Sequence, residues 1–220
     1  MIGIILFGHG KMGREITGII ETSTKMEIAE EGKNYEKMVV IDFSHPIRHD
    51  EAVSFAEKSG LPLICGTTGL SGEQFERMRE LAKQVPLLYS SNFSYGISVI
   101  KKLLRESAEL LKGWDTEMVE THHNQKKDMP SGTAKTLTKV LEDVQGAGAV
   151  NVHSLRGGTV AGVHQVQFFG ADEIIEIKHT AISRRIFAEG ACMTVEKIIK
   201  FEPGFYSFDE IVTESKDIVN

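Results

Sequence analysis

At 220 residues with 41% hydrophobic side chains, the chain can form one large domain or two small ones around a real core. A net charge of −6 and a pI near 5.8 exclude any general electrostatic attraction to nucleic acid or to an anionic membrane, so a small anion is the expected partner. No apolar run reaches membrane-spanning length and no signal peptide opens the chain; Cys65 and Cys192 are expected as buried small hydrophobes in the reducing cytoplasm.

Ile2 to Phe7 is a near-continuous apolar run, the pattern of a parallel strand buried on both faces. Gly8-His9-Gly10-Lys11-Met12-Gly13 follows at once. Met12, Ile16, Ile19 and Ile20 then recur with helical period, so the glycines stand between a strand and a helix, the context a dinucleotide-binding loop requires. Gly8 permits the tight turn, Gly10 a close backbone approach to a pyrophosphate, and Gly13 close packing of helix on strand. A short strand from Met26 to Ala29 ends at Glu30 and Glu31, and either carboxylate could accept hydrogen bonds from an adenosine ribose, or both could be solvated acids in a turn.

Strand and helix continue to alternate. Met38 to Phe43 reads as a strand, Ser44-His45-Pro46 as a turn, and the next helix is expected to bury Ala52, Val53 and Phe55. Leu63 to Cys65 is a third buried strand; Gly66-Thr67-Thr68-Gly69 follows it, then a helix begun by Ser71 with Gln74 completing a capping box. Leu87 to Tyr89 repeats the pattern and ends in Ser90-Ser91-Asn92-Phe93-Ser94. These polar loops all fall at the carboxyl ends of the strands, where an open parallel sheet binds its ligand.

After Gly96 the texture changes. A long helix carrying Ile97, Ile100, Leu103, Leu104 and Leu111 leads to a half-buried strand from Thr116 to Thr121, with His122 and His123 leaving its end on opposite sides. Lys126, Lys127 and Asp128 follow, and a helix opens near Ser131, with Leu137, Val140, Leu141 and Val144 on its apolar face. Strand end, basic loop and helix mouth would form one pocket for a small dianionic acid, gripped by its carboxylates and protonated elsewhere; the bland alternative is a solvated basic loop. His122, His123 and Asp128 could also be metal ligands, but adjacent histidines lack the i, i+4 spacing of a helical zinc pair and neither cysteine lies nearby in sequence, so no metal is expected. Strands Val150 to Arg156, Val163 to Phe169 and Ile174 to Thr180, separated by glycine-rich turns, form a mostly antiparallel or mixed sheet. Phe187 to Ile199 is a final long helix, Pro203-Gly204 a break, and Phe208 to Val212 a short terminal helix.

These motifs together resemble bacterial dihydrodipicolinate reductase, also called 4-hydroxy-tetrahydrodipicolinate reductase, of lysine and diaminopimelate biosynthesis. The resemblance rests on Gly10-Lys11-Met12-Gly13, Asp42-Phe43-Ser44, Gly66-Thr67-Thr68-Gly69, Asn92-Phe93-Ser94, and His122-His123 with Lys126, Asp128 and Pro130 to Thr133. His179, Ser183, Arg184, Phe187 and Ala188 extend it. It implies an α/β architecture: a Rossmann-type parallel-sheet nucleotide-binding domain from 1–94 and 185–220, and an α+β substrate and oligomerisation domain over 95–184. It implies reduction with NADH or NADPH of the cyclic dicarboxylate, His122 as proton donor with Lys126 as its partner, and His123, Gly132 and Thr133 as substrate ligands, beside Ser131 at the helix mouth. Gly66 to Thr68 and Ser90 to Phe93 would wall the nicotinamide and ribose site, and the assembly would be a homotetramer. Three departures stand out: a glycine loop one residue shorter than usual, a compressed stretch from Met26 to Met38, and a shortened segment near Gly146. An amino-acid dehydrogenase acting on aspartate and a non-catalytic dinucleotide sensor are the competing readings; the first offers no reason for the dicarboxylate grip, the second none for His122 with Lys126.

Overall fold

The computed structural model describes residues 1–213; positions 214–220 of the expected nucleotide-binding segment lie outside the described residues. In chain order the elements are β1 (Ile2–Phe7), α1 (Lys11–Glu21), β2 (Met26–Ile28), β3 (Lys37–Asp42), α2 (Pro46–Ser59), β4 (Leu63–Cys65), α3 (Gly72–Ala82) and β5 (Pro86–Tyr89). There follow α4 (Tyr95–Leu110), β6 (Asp115–His122), α5 (Gly132–Gln145), β7 (Val150–Arg156), β8 (Gly162–Phe169), β9 (Ile174–Ala181), α6 (Arg185–Ile198), β10 (Gly204–Ser207) and α7 (Phe208–Thr213). The chain divides into two compact units, Met1–Ser94 with the segment from Arg185 onward, and Tyr95–Arg184.

The first unit is a doubly wound α/β layer structure. Six strands pair in the order β10-β5-β4-β3-β1-β2, every pair parallel. Because successive side chains on a strand point to opposite faces, Val39 and Ile41 enter one core with Ile16 and Ile20 of α1 and Val195 and Ile198 of α6, while Val40 enters another with Ala52 and Val53 of α2 and Met78 and Leu81 of α3. Both cores exclude water, which is why the strands read as unbroken apolar runs. Local chemistry sets the helix limits: Ser71 and Gln74 form the expected capping box on α3, and Gly60 closes α2 in the left-handed region at φ 64°.

Two expectations need correction. Phe55 is 39% exposed and tilts against the Phe7 ring at 5.9 Å rather than entering the core. The break at Pro203-Gly204 opens into β10, which pairs with β5 at the sheet edge. Four residues after a proline carry no readable periodicity, and only the parallel partner makes them a strand.

In the second unit a four-stranded mixed sheet, ordered β7-β6-β8-β9, packs α4 and α5 on one face. β6 and β7 are parallel because α5 carries the chain back between them; β8 is antiparallel to β6, and β9 to β8. Met118, Val166 and Phe168 of the sheet bury against Leu104, Leu137 and Leu141.

Candidate active site

In the first unit, the strand order reverses about β1, whose neighbours are β2 on one side and β3 on the other; the glycine loop sits at that switch point. Gly8 adopts φ 107°, and a Cβ there would stand 2.3 Å from the Phe43 carbonyl oxygen; a Cβ on Gly13 would stand 1.9 Å from the Gly8 carbonyl oxygen. No side chain fits at either position. A Cβ on Gly10 would meet nothing within 4 Å, so the main chain there borders open space. Gly10 caps α1 without a side-chain bond and the first turn holds no acid, which leaves the helix N-terminus suited to an anion. His9 and Lys11 are exposed beside it. A pocket of about 410 Å³ opens next to this loop, lined by Met12, Phe43, Ser44, His45, Pro46, Gly66, Thr67 and Thr68.

Several assigned walls turn out to be supports. Phe93 is 1% exposed, sandwiched between Phe43 and Phe208 at ring separations of 5.3 and 5.2 Å, so its side chain belongs to the core and not to a cofactor wall. The Ser90 hydroxyl donates to the Asn92 carbonyl, and the Asn92 side-chain oxygen accepts from the Ser94 N–H, so these two side chains shape the loop; Ser91 is exposed. Thr67 Oγ1 accepts from the Ser44 N–H at 3.1 Å, tying the β4 and β3 loops together. Glu30 and Glu31 are both exposed beyond β2, and Lys33 pairs with Glu27 at 2.7 Å instead of with either of them.

Beneath the pocket lies a buried cluster that the sequence did not announce. Asp42, His49 and Cys65 are all 0% exposed; His49 Nδ1 lies 2.7 Å from Asp42 Oδ2, and the Cys65 thiol donates to the same oxygen at 3.6 Å. Burial pushes the Asp42 carboxyl up, but bonds from His49 and Ser44 prevail and hold it below its ordinary range; burial pushes the Cys65 thiol well up, so it stays protonated.

In the second unit, β6 alternates buried and partly buried positions through its last residue, which puts Glu120 and His122 on the face covered by helices. His122 therefore stays in the strand, 8% exposed, and only His123 leaves it. Register then assembles the site: Glu120 stands opposite Ser154 of β7 and His164 of β8, and His164 opposite His179 of β9. Glu120 accepts from Arg156 Nη2 at 2.8 Å with one oxygen and contacts His122 Nδ1 with the other. The His122 and His164 rings meet edge to face at 5.2 Å, and His164 Nε2 lies 3.3 Å from Ser131 Oγ. A Cβ on Gly162 would stand 3.1 Å from His122 Nε2, so glycine keeps that nitrogen uncrowded.

The helix mouth forms as expected, with Ser131 as N-cap of α5, its hydroxyl accepting from the Ala134 N–H at 3.2 Å. The Ser131 side chain thus serves as the cap of α5 and meets His164. Gly132 and Thr133 form the exposed and half-exposed first turn. Lys126 is also paired, with Asp128 at 2.8 Å.

Burial lowers the His122 pKa, against the opposing pull of the Glu120 carboxylate, and the net direction is down; His164 is pushed down to about 4, chiefly by burial and then by His122. Both imidazoles are therefore neutral near pH 7. Burial likewise pushes Glu120 up, but Arg156, Ser154 and His122 reverse it and keep the carboxylate ionised. Sequence reasoning named no role for Glu120, Arg156 or His164. The alternation of β6 could have put Glu120 beside His122; nothing local announces the register that brings in the other two.

A glycine loop at the switch point of a doubly wound sheet, with an acid–base set in a second unit, defines the class: a nicotinamide-nucleotide-dependent oxidoreductase. Family models for the N-terminus and C-terminus of dihydrodipicolinate reductase match residues 31–93 and 96–212. The chain is 38% identical over 221 residues to the 4-hydroxy-tetrahydrodipicolinate reductase of Thermosipho africanus, covering 97% of this chain and 98% of that one. It is 36% identical over 228 residues to that of Brachyspira hyodysenteriae, covering 95% and 99%. Among solved structures, the fold resembles a dipicolinate-bound dihydrodipicolinate reductase from Paenisporosarcina sp. TG-14, with a TM-score of 0.78 at 20% identity over 94% of this chain and 97% of that one. The chain belongs to the dihydrodipicolinate reductase family, whose members reduce 4-hydroxy-tetrahydrodipicolinate in lysine and diaminopimelate biosynthesis.

Proposed function

We propose that the first unit holds NADH or NADPH and the second binds the acceptor and protonates it. The observation that carries this reading is the buried Glu120–His122 pair, linked through His164 to the N-cap of α5. When bound, the nicotinamide supplies the hydride. The first turn of α1 and the uncrowded main chain at Gly10 fit the pyrophosphate, and the pocket along Gly66 to Thr68 fits the nicotinamide side. His123 and the Gly132–Thr133 turn hold the substrate carboxylates, as a helix N-terminus favours anions. A dianion arriving beside neutral His122 raises its pKa, so the ring takes up a proton on binding and donates it from Nε2 as negative charge develops on the acceptor. Lys126 must leave Asp128 to assist, which the exposure of Asp128 makes inexpensive.

Oxidation of reduced nucleotide on addition of the product of the preceding synthase reaction tests the activity. His122→Ala and Lys126→Ala should each lower kcat by ~10²-fold or more with nucleotide affinity little changed; near-native kcat in both would refute the assignment. Pyridine-2,6-dicarboxylate, the ligand named for the Paenisporosarcina structure, should compete with substrate, and Thr133→Val should weaken it by roughly 1–3 kcal/mol. Competition with the nucleotide instead would count against the grip. Two reduced, buried thiols support a cytoplasmic location; no helix among the described residues is long and apolar enough to cross a membrane. Exposed Ile174 and Ile175 on the edge strand β9 support a homotetramer built on this sheet, which sedimentation would test.

A further inference from the structure

Glu120 is the most deeply buried charge of the second unit, 0% exposed, and the proposed chemistry gives it no task. Its surroundings do. The two carboxylate oxygens are divided: Oε2 meets His122 Nδ1 and Oε1 accepts from Arg156 Nη2 at 2.8 Å. An ionised carboxylate only accepts, so the hydrogen on His122 must sit on Nδ1 while the ring is neutral. Nε2 is then the nitrogen left to take and release a proton, and Gly162 keeps its surroundings uncrowded. The same carboxylate reaches the loop that carries Lys126. Arg156, whose side chain is 9% exposed, donates from Nε to the Lys126 carbonyl at 3.2 Å and from Nη2 to the Asp128 carbonyl at 2.6 Å.

We propose that Glu120 is the positioning residue of the site: one buried carboxylate fixes the tautomer and orientation of His122 and, through Arg156, the path of the Lys126 loop. A purely structural ion pair needs only the Arg156 contact. Buried pairs of that kind add little net stability and are often replaceable by apolar side chains, whereas a carboxylate behind an imidazole controls which nitrogen carries the proton. The titratable groups facing His122 are Glu120 on its own strand, Arg156 from β7, His164 from β8 and Lys126 from the following loop; Ser131, the N-cap of α5, meets His164 and does not titrate. Of these only Glu120 is negative, so its removal has one direction of effect on the ring.

This inference deepens the role proposed for His122 and is tested separately from it. In full-length Glu120→Gln, imidazole NMR should show His122 titrating at lower pH than in the native protein. In the same variant kcat should fall about 10-fold or more, the alkaline limb of its pH profile should move to lower pH, and the nucleotide KM should stay native. Glu120→Asp, which keeps the charge but withdraws it by one methylene, should fall between the two in both readouts and serves if the Gln variant folds poorly. A native kcat, or a loss of kcat with an unmoved His122 titration, would overturn the positioning role. Near-native kcat in His122→Ala would instead remove the proton-donor role, while the His122 titration in Glu120→Gln would still report whether Glu120 governs the ring.

Discussion

The first unit presents its candidate site as main chain, and the second presents its own as buried side chains. Around β1 and α1 the useful atoms are N–H groups at a helix start and the space left by Gly8, Gly10 and Gly13; the nearby polar side chains, His9, Lys11, Glu30 and Glu31, are exposed. Around β6 the useful atoms are two imidazoles, pushed down chiefly by burial, and a carboxylate held between strands, kept ionised against burial by its partners. The contrast matches the tasks. A nucleotide phosphate brings its own fixed charge and needs a shape to lie against, while proton transfer needs a group whose charge can change and whose pKa the protein sets.

If that contrast is right, the first unit should fail by crowding and the second by titration. The largest effect is expected from Gly13→Ala, since its methyl would stand 1.9 Å from the Gly8 carbonyl oxygen. Forcing helix from strand should destabilise the unit by at least ~3 kcal/mol and abolish nucleotide binding; denaturant unfolding checks the first outcome and fluorescence titration with nucleotide the second. Gly10→Ala, with nothing within 4 Å of the new methyl, should fold normally and lose nucleotide affinity alone.

The titration prediction concerns His164. Its folded pKa, about 4, lies below the ordinary imidazole value of 6.5, so between those pH values the unfolded chain binds the proton and the folded one does not. Stability is present above pH 6.5 and is lost as pH falls through the window, by ~3 kcal/mol in all. His164→Gln should flatten that dependence, and the slope of unfolding free energy against pH between 6.5 and 4 measures it; an unchanged slope would show that burial of this ring has little weight. Ser131→Ala, which removes the cap of α5 and the contact with His164, should cost ~1 kcal/mol, readable in the thermal midpoint.

The smallest effect belongs to nucleotide choice. On the nucleotide placement proposed above, exposed Glu30 and Glu31 would disfavour a 2′-phosphate and Lys11 would favour it, while Lys33 is tied to Glu27. Use of both nucleotides with a preference under ~30-fold in kcat/KM is expected, with Lys11→Ala hurting NADPH more than NADH at one ionic strength. A preference above about a thousandfold, or equal losses for both, would break this reading.

The parts legible in the sequence were those that depend on neighbours in the chain. The strand limits of β1 and β4, the start of α1 after its glycines, the capping box at Ser71 and the N-cap at Ser131 all rest on residues within four positions of one another, and local sterics and hydrogen bonds decide them. The run from His122 to Thr133 grouped the histidines, the basic loop and the helix mouth into one candidate pocket, and the family resemblance added the separate roles of His122 and Lys126. Partnership across the chain was decided by tertiary structure. Strand register placed His164 against Glu120 and brought Arg156 within reach of the same carboxylate, although more than thirty residues separate each of them from Glu120 in sequence. Core packing turned Phe93 inward between Phe43 and Phe208, and pairing with β5 made a strand of four residues after Pro203. Burial, which no local window contains, is what pushes His164 down to about 4 and makes the Glu120 carboxylate dependent on Arg156 and His122. The sequence alone determined which side chains the chain carries to each sheet, and the register and packing of those sheets decided which of them can act on one another, because a pKa and a tautomer depend on distances that only the folded chain sets.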